Sequence, residues 1–531
     1  MFIRRSLIAT LLALSSSMVA CQSVTPADSS AQSPARAPAK SPPHPNIVYI
    51  LCDDLGYGDV HAFNPTRGKI NTPNFDRLAS EGMSFTDAHS GSAVCTPSRY
   101  GILTGRYAWR THLQSGVLGG FGEPLISKTQ LTVPELLQKQ GYATGMIGKW
   151  HLGMDLPKVT TPLGDKKWLA PLKDNPIAHG FDYYFGIAAS LDMPPFVYIE
   201  NDKLTEIPTT EKKWGRSGPA GKDFEAINVV PDFTKKAISY IDARAADAKN
   251  NKPFFLYLAL PSPHTPIVPD KDFEGKSGLG NYGDYVMETD WAVGQVLAEL
   301  DKAGLKDNTL VFFTSDNGCS PAADVKHLEA QGHFPSAQFR GYKADIWDGG
   351  HRIPYIVRWP GKVEPGSHSA ELGCLTDLMA TTADLLGVEL PPNAAEDSVS
   401  MVPALFQKPH APLREAVVHH SIDGCFAIRK GKWKLELAAG SGGWAAPREY
   451  AAVQQGLPAI QLYDMEADES ETKNVAADQP DIVQELTALL NTYVADGRST
   501  PGSQENNDVK INLHKTPKPP KPASTSAPRD D

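Results

Sequence analysis

Cysteine is scarce in this chain, six in 531 residues, and the spacing of the six shows no disulfide framework of the kind that staples a small domain. Basic charge is in deficit: 51 Lys and Arg against 61 Asp and Glu leave a formal net charge of −10. No global field therefore draws nucleic acid or another polyanion, and an anionic substrate has to be held by local lysines, arginines or a metal. Long apolar runs are missing as well; the one at residues 7–14 is too short to span a membrane. Two tracts lack the apolar content to fold. Residues 22–44, rich in Ser, Ala and Pro, read as a tether, and residues 498–531, with their Lys-Pro repeats, as a disordered tail.

The remainder is long enough for one large core and a smaller second domain. Arg4-Arg5, the apolar run and the small residues up to Ala20-Cys21 read as an export signal over residues 1–21. Met18-Val19-Ala20-Cys21 resembles a bacterial lipobox, which would make Cys21 a lipidated first residue and place the protein in the periplasm or at the outer membrane, held by the anchor alone. The alternative is a plain secretory signal cleaved nearby.

Four apolar runs read as buried strands of a parallel sheet, and each ends in polar groups able to do chemistry. Asn46-Ile47-Val48-Tyr49-Ile50-Leu51 exits into Asp53-Asp54, adjacent carboxylates that repel unless a cation sits between them. Tyr142-Ala143-Thr144-Gly145-Met146-Ile147 leads to Lys149 and His151. Phe254-Phe255-Leu256-Tyr257-Leu258-Ala259-Leu260 leads to His264 between two prolines, and Leu310-Val311-Phe312-Phe313-Thr314 to Asp316-Asn317. Ligands of open α/β sheets bind at the carboxyl ends of strands, so the four groups form one composite site. Helices are expected after Thr72-Pro73, with Thr72 as cap and Gly82 as stop, from Thr132 to Gly141, and over residues 285–300. From about residue 412 short alternating strands and a helix at 480–494 predict a small antiparallel sheet.

The block Cys95-Thr96-Pro97-Ser98-Arg99, continued by Leu103-Thr104-Gly105-Arg106, resembles the signature of the formylglycine-dependent sulfatases, and so does Asp53-Asp54-Leu55-Gly56-Tyr57-Gly58-Asp59. Gly148-Lys149-Trp150-His151, His179-Gly180-Phe181-Asp182 and Arg340-Gly341-Tyr342-Lys343 are similar to further blocks of that family, and the likeness runs over residues 45–500. It implies an alkaline-phosphatase-like α/β sandwich: a large mixed, mostly parallel sheet flanked by helices over residues 45–410, and the smaller antiparallel sheet with one helix over 411–497. It also implies that Cys95 is oxidised to formylglycine by a formylglycine-generating or anaerobic sulfatase-maturating enzyme. Asp53, Asp54, Asp316 and Asn317, with residue 95, would hold Ca²⁺, Mg²⁺ being the alternative. Arg99, Lys149 and Lys343 would neutralise the sulfuryl group, His264 would protonate the leaving alcohol, and His151 would handle the geminal hydroxyl. Ser190 falls where the family places a polar residue near the site.

Trp109-Arg110-Thr111-His112 makes Arg110 and His112 candidate specificity residues for a sulfated glycan, and its surroundings resemble bacterial enzymes acting on 6-O-sulfated galactose or N-acetylgalactosamine. Two rivals remain. One is a phosphodiesterase or phosphonate monoester hydrolase of the same superfamily. The other is a noncatalytic glycan-binding lipoprotein, against which stands the presence of Cys95, Lys149 and His264 together.

Overall fold

The computed structural model describes residues 44–517 and 519. The export signal, Cys21 and nearly all of the tether lie outside the described residues. None of the described helices is long and apolar enough to cross a membrane.

The main sheet has ten strands. From one edge they are Ser367–Ser369, Met83–Phe85, Tyr355–Arg358, Thr309–Ser315, Asn46–Asp53, Phe254–Pro263, Ala143–Lys149, Tyr183–Ile187, Ile199–Glu200 and Lys203–Leu204. Five adjacent strands, from Thr309–Ser315 to Tyr183–Ile187, run parallel, with Ile50 opposite both Leu258 and Phe313. Tyr355–Arg358 joins antiparallel, which makes the sheet mixed. The central strand is apolar from Ile47 to Cys52 because both faces are covered: Ile47, Tyr49 and Leu51 pack into one core, Val48, Ile50 and Cys52 into the other.

Helices Val229–Lys249 and Gly280–Lys302 bury their apolar stripes in the second core, and Cys95–Thr104, Val133–Lys139 and Leu378–Leu386 lie in the first. Helix Pro73–Glu81 starts and stops where the sequence predicts, but Thr72 does not cap it. The Thr72 hydroxyl instead accepts the His61 amide at 3.0 Å, and Asp290, from a distant helix, takes the amides of Asn74 and Phe75 at 3.0 and 2.8 Å.

The C-terminal sheet is antiparallel, with strands Val417–His420, Phe426–Lys430, Trp433–Glu436 and Gln461–Asp464, and helix Pro480–Ala495 packs on it. One expectation fails beyond it. Residues 498–517 do not form a free tail. They fold back on the Arg106–Arg110 segment, where Asp508 receives the Arg106 guanidinium at 3.0 Å, the Asp508 amide donates to the Arg110 carbonyl at 2.8 Å, and Leu513 is buried.

Candidate active site

All four strand-end groups converge, and helix Cys95–Thr104 brings Cys95 to the same point at its first residue. Oxygens of Asp53 and Asp316 and the Cys95 sulfur lie within 4.8 Å of one another; ligand atoms of Asp53, Asp54 and His264 form a second such group. Every one of these side chains is buried.

Cations thread the carboxylates. Lys149 Nζ lies 2.6 Å from Asp53 and Lys343 Nζ 2.8 Å from Asp54. The Arg99 guanidinium donates through Nε to Asp316 at 2.9 Å and through Nη1 to the Lys149 carbonyl at 3.0 Å. Nη2 makes no hydrogen bond but stands 2.7 Å from Asp316 and 3.5 Å from Asp53, so Arg99 fixes Asp316 and supplies charge to both carboxylates. Burial works against an ionised Asp53, but Lys149 foremost, with His264, Arg99 and Lys343, holds its carboxyl well below the usual range. Burial prevails at Asp316, whose carboxyl rises to about 6 although Arg99 opposes it.

Two oxygens fit a metal. Asp53 Oδ1 and Asn317 Oδ1 are buried and accept no hydrogen bond, a costly arrangement unless a cation meets them. Asn317 Nδ2 donates to Asp54 Oδ1 at 2.8 Å, which joins Asn317 to the carboxylate cluster. An all-oxygen donor set of three carboxylates and an amide suits a hard divalent ion.

Cys95 in its thiol form is a poor nucleophile here. Burial pushes the thiol up to about 11 despite the neighbouring Lys149 and Lys343. His151 is the opposite case: burial first, then Lys149 and Arg99, drives its imidazole well below its ordinary pKa. Its Nε2–H donates to the Leu118 carbonyl at 2.6 Å, which leaves a buried, unpaired Nδ1 as a proton acceptor. His264 Nδ1–H donates to the Thr265 carbonyl at 2.7 Å, and Nε2 stands 3.7 Å from Asp54.

Ser190 is buried with an unpartnered hydroxyl, on the segment whose Ala188 carbonyl takes the His151 amide at 3.0 Å. Arg110 is not available to a substrate. It is fully buried, with Nε and Nη2 2.8 and 2.7 Å from Asp397 and Nη1 on the Tyr493 carbonyl and Asn507, and so pins the C-terminal segment to the body. His112 is exposed, and its ring makes no hydrogen bond among the described residues.

Sequence reasoning missed the support beneath the Cys95 loop. His351 and His419 stack with ring centres 3.8 Å apart, His89 Nδ1 lies 3.0 Å from His351 Nδ1, and His419 holds the Ser90 carbonyl at 3.2 Å. It also missed Asp345, whose carboxylate accepts the amides of Tyr342, Trp444 and Ala445 and so ties the Lys343 turn to the C-terminal part. Neither set has a sequence signal, because apart from Tyr342 the partners are brought together only by the fold.

A buried nucleophile position, a carboxylate cluster and flanking lysines at the carboxyl edge of the parallel strands define an ester hydrolase site. The sulfatase family model matches residues 45–388, and the chain belongs to that family and is a sulfuric ester hydrolase. It is 36% identical over 495 residues to an N-acetylgalactosamine-6-O-sulfatase of Bacteroides thetaiotaomicron, covering 84% of this chain and 93% of that one. Similarity to the N-acetylgalactosamine-6-sulfatase of Rattus norvegicus is 32% identity over 428 residues, 77% and 74% of the two chains. A solved Bacteroides thetaiotaomicron sulfatase, described in a study of the metabolism of multiple glycosaminoglycans, superposes with a TM-score of 0.75 at 35% identity, covering 85% of this chain and 99% of that one.

Proposed function

We propose that the protein removes 6-O-sulfate from N-acetylgalactosamine or galactose in a sulfated glycan, using formylglycine at position 95 and a divalent cation. The observation that carries the mechanism is the meeting of Cys95 with Asp53 and Asp316 between two buried lysines. The relatives named for 6-sulfated N-acetylgalactosamine support the sugar and the position.

Hydrated formylglycine would supply one hydroxyl for attack on sulfur, releasing the alcohol, and a second whose deprotonation restores the aldehyde as the C–O bond to the transferred sulfate breaks and sulfate leaves. Asp53, Asp54, Asp316 and Asn317, with residue 95, would hold Ca²⁺, or Mg²⁺ in its place, for positive charge beside the sulfate. Lys149 and Lys343 neutralise sulfuryl oxygens from fixed positions in a water-poor site, where their charge counts for more than in water. His264, its Nδ1–H engaged by Thr265, presents Nε2 to protonate the leaving alcohol. His151, neutral and with Nδ1 unpaired, takes the proton of the second hydroxyl. Position 95 depends on a formylglycine-generating or anaerobic maturating enzyme of the host. Export with a lipid on Cys21 completes the proposal, and matches an enzyme that meets polymeric substrate outside the cytoplasm.

The test is sulfate release from 6-O-sulfated against 4-O-sulfated N-acetylgalactosamine, with phosphodiester and phosphonate monoester controls. Preference for the 6-sulfate is the expected result. Faster turnover of a phosphonate ester would move the chain to the rival reaction class.

A further inference from the structure

A cavity of about 710 Å³ lies beside the catalytic cluster, within the roughly 300–1,000 Å³ common for ligand pockets. Its inner wall backs onto the active site. Ile422 packs against Val94 and Ala344, the neighbours of Cys95 and Lys343, and the Trp444 ring centre is 5.8 Å from Lys343 Nζ. Gly443 lets this wall approach so closely: a Cβ there would sit 2.4 Å from the Ala344 carbonyl oxygen. Asp345, accepting the Trp444 and Ala445 amides at 2.8 and 2.9 Å, fixes the backbone that carries the indole.

The outer wall comes from the C-terminal segment, with Asn512, Lys515, Thr516 and Pro517 lining the cavity. Lys515 is half-buried, its Nζ 5.6 Å from the Phe426 ring centre, and among the described residues its ammonium has no carboxylate or hydrogen-bond acceptor. Arg448 adds a second cation and donates from Nε to the Trp444 carbonyl at 3.2 Å. Of the acids at this cavity, Glu449 spends both oxygens on the Ala439 and Gly440 amides at 2.8 Å each, and Asp423 stands on the wall beside Ile422.

We propose that this cavity is the subsite for the sugar adjoining the sulfated one, with Trp444 as its apolar platform and Lys515 as the cation for an anionic group on that sugar, a uronate carboxylate or a second sulfate. The assignment rests on the glycan sulfatase reading and extends it: the enzyme reads two residues of an acidic polymer, and the C-terminal segment closes the second position. An indole offers an apolar face to a sugar ring at little entropic cost, and an unpaired, half-desolvated ammonium gains more from an anion than an exposed one does.

Binding, measured by calorimetry in a Cys95→Ala background so that turnover plays no part, tests the proposal. The ligands are a 6-O-sulfated monosaccharide and three disaccharides whose neighbouring sugar carries a carboxylate, a sulfate or neither. Lys515→Met, which keeps the packing stem, should weaken binding of an acidic disaccharide by about fivefold, leave the monosaccharide and the neutral disaccharide unchanged, and be rescued by Lys515→Arg. Whichever acidic ligand shows the loss identifies the anion. Equal loss on all four ligands, no loss on any, or no gain from an acidic neighbour in the parent would overturn the subsite. Sulfate release assayed separately in the unmutated enzyme judges the sulfatase reading, so the two failures stay distinct.

Discussion

At the scale of single residues, burial decides what each group can do. A thiol at about 11 is protonated at neutral pH, so any unconverted Cys95 should resist iodoacetamide at pH 8 in folded protein and react once the chain is unfolded. Peptide mapping after each treatment checks this; rapid labelling of the native thiol would contradict it. Lys149→Ala removes a preorganised charge from the buried cluster and should lower kcat by about 10²–10³-fold, with the thermal midpoint monitored alongside. Arg110 is the residue the sequence misassigned. Its neighbours Trp109 and Thr111 carry no hint that Asp397 and Asn507, hundreds of positions away, occupy its guanidinium. Burial opposes the Asp397 charge and Arg110 restores it, so that this carboxyl titrates below its ordinary range. Arg110→Met strands that charge and should cost about 3–5 kcal/mol in denaturant unfolding. Activity per folded molecule on a small sulfate ester should hold, whereas a specificity residue would instead change KM between glycans.

At the scale of elements, what was legible follows from where each signal comes from. Four of the five parallel strands were readable because burial on both faces demands unbroken apolar runs, and the polar residues that follow them had to lie at one edge; the fifth, Tyr183–Ile187, is short and was not read as a strand. Caps set by tertiary partners were not readable: Asp290 serves a helix more than 200 positions away. Glu288, on helix Gly280–Lys302, does the same for the loop after His264, accepting the Asp270 amide at 2.7 Å. Burial, with the Asp270 amide opposing, raises its carboxyl to about 8. A carboxyl raised in the folded state keeps its proton there while the unfolded chain has lost it. Its stabilisation is therefore complete below the ordinary glutamate range and disappears as pH rises toward 8. Glu288→Gln keeps the hydrogen-bond acceptor and removes the titration. Its stability relative to the parent should grow from pH 5 to pH 8, by no more than about 1.4 kcal/mol per pH unit. Parallel pH profiles of the two proteins would refute the assignment.

At the scale of the whole molecule, the catalytic sheet and the C-terminal part act as one body at the site, since Lys343, Asp345 and Trp444 are tied across them. Composition misled the sequence reading at residues 498–517, where proline, lysine and small polar residues give no periodicity, yet Asp508 and Ser499 meet Arg106 and Asp397. Deleting residues 498–531 should lower the thermal midpoint by several degrees while sulfate release from a small aryl ester continues at lower temperature. The account as a whole turns on position 95. The most direct measurement is the mass of the peptide containing residue 95 from protein made in its native host, taken with sulfate release by the same preparation. The account predicts a peptide lighter by exchange of one sulfur for oxygen and loss of two hydrogens, with activity that tracks the converted fraction and vanishes in Cys95→Ala. A fully active preparation with an unmodified thiol at residue 95 would contradict it.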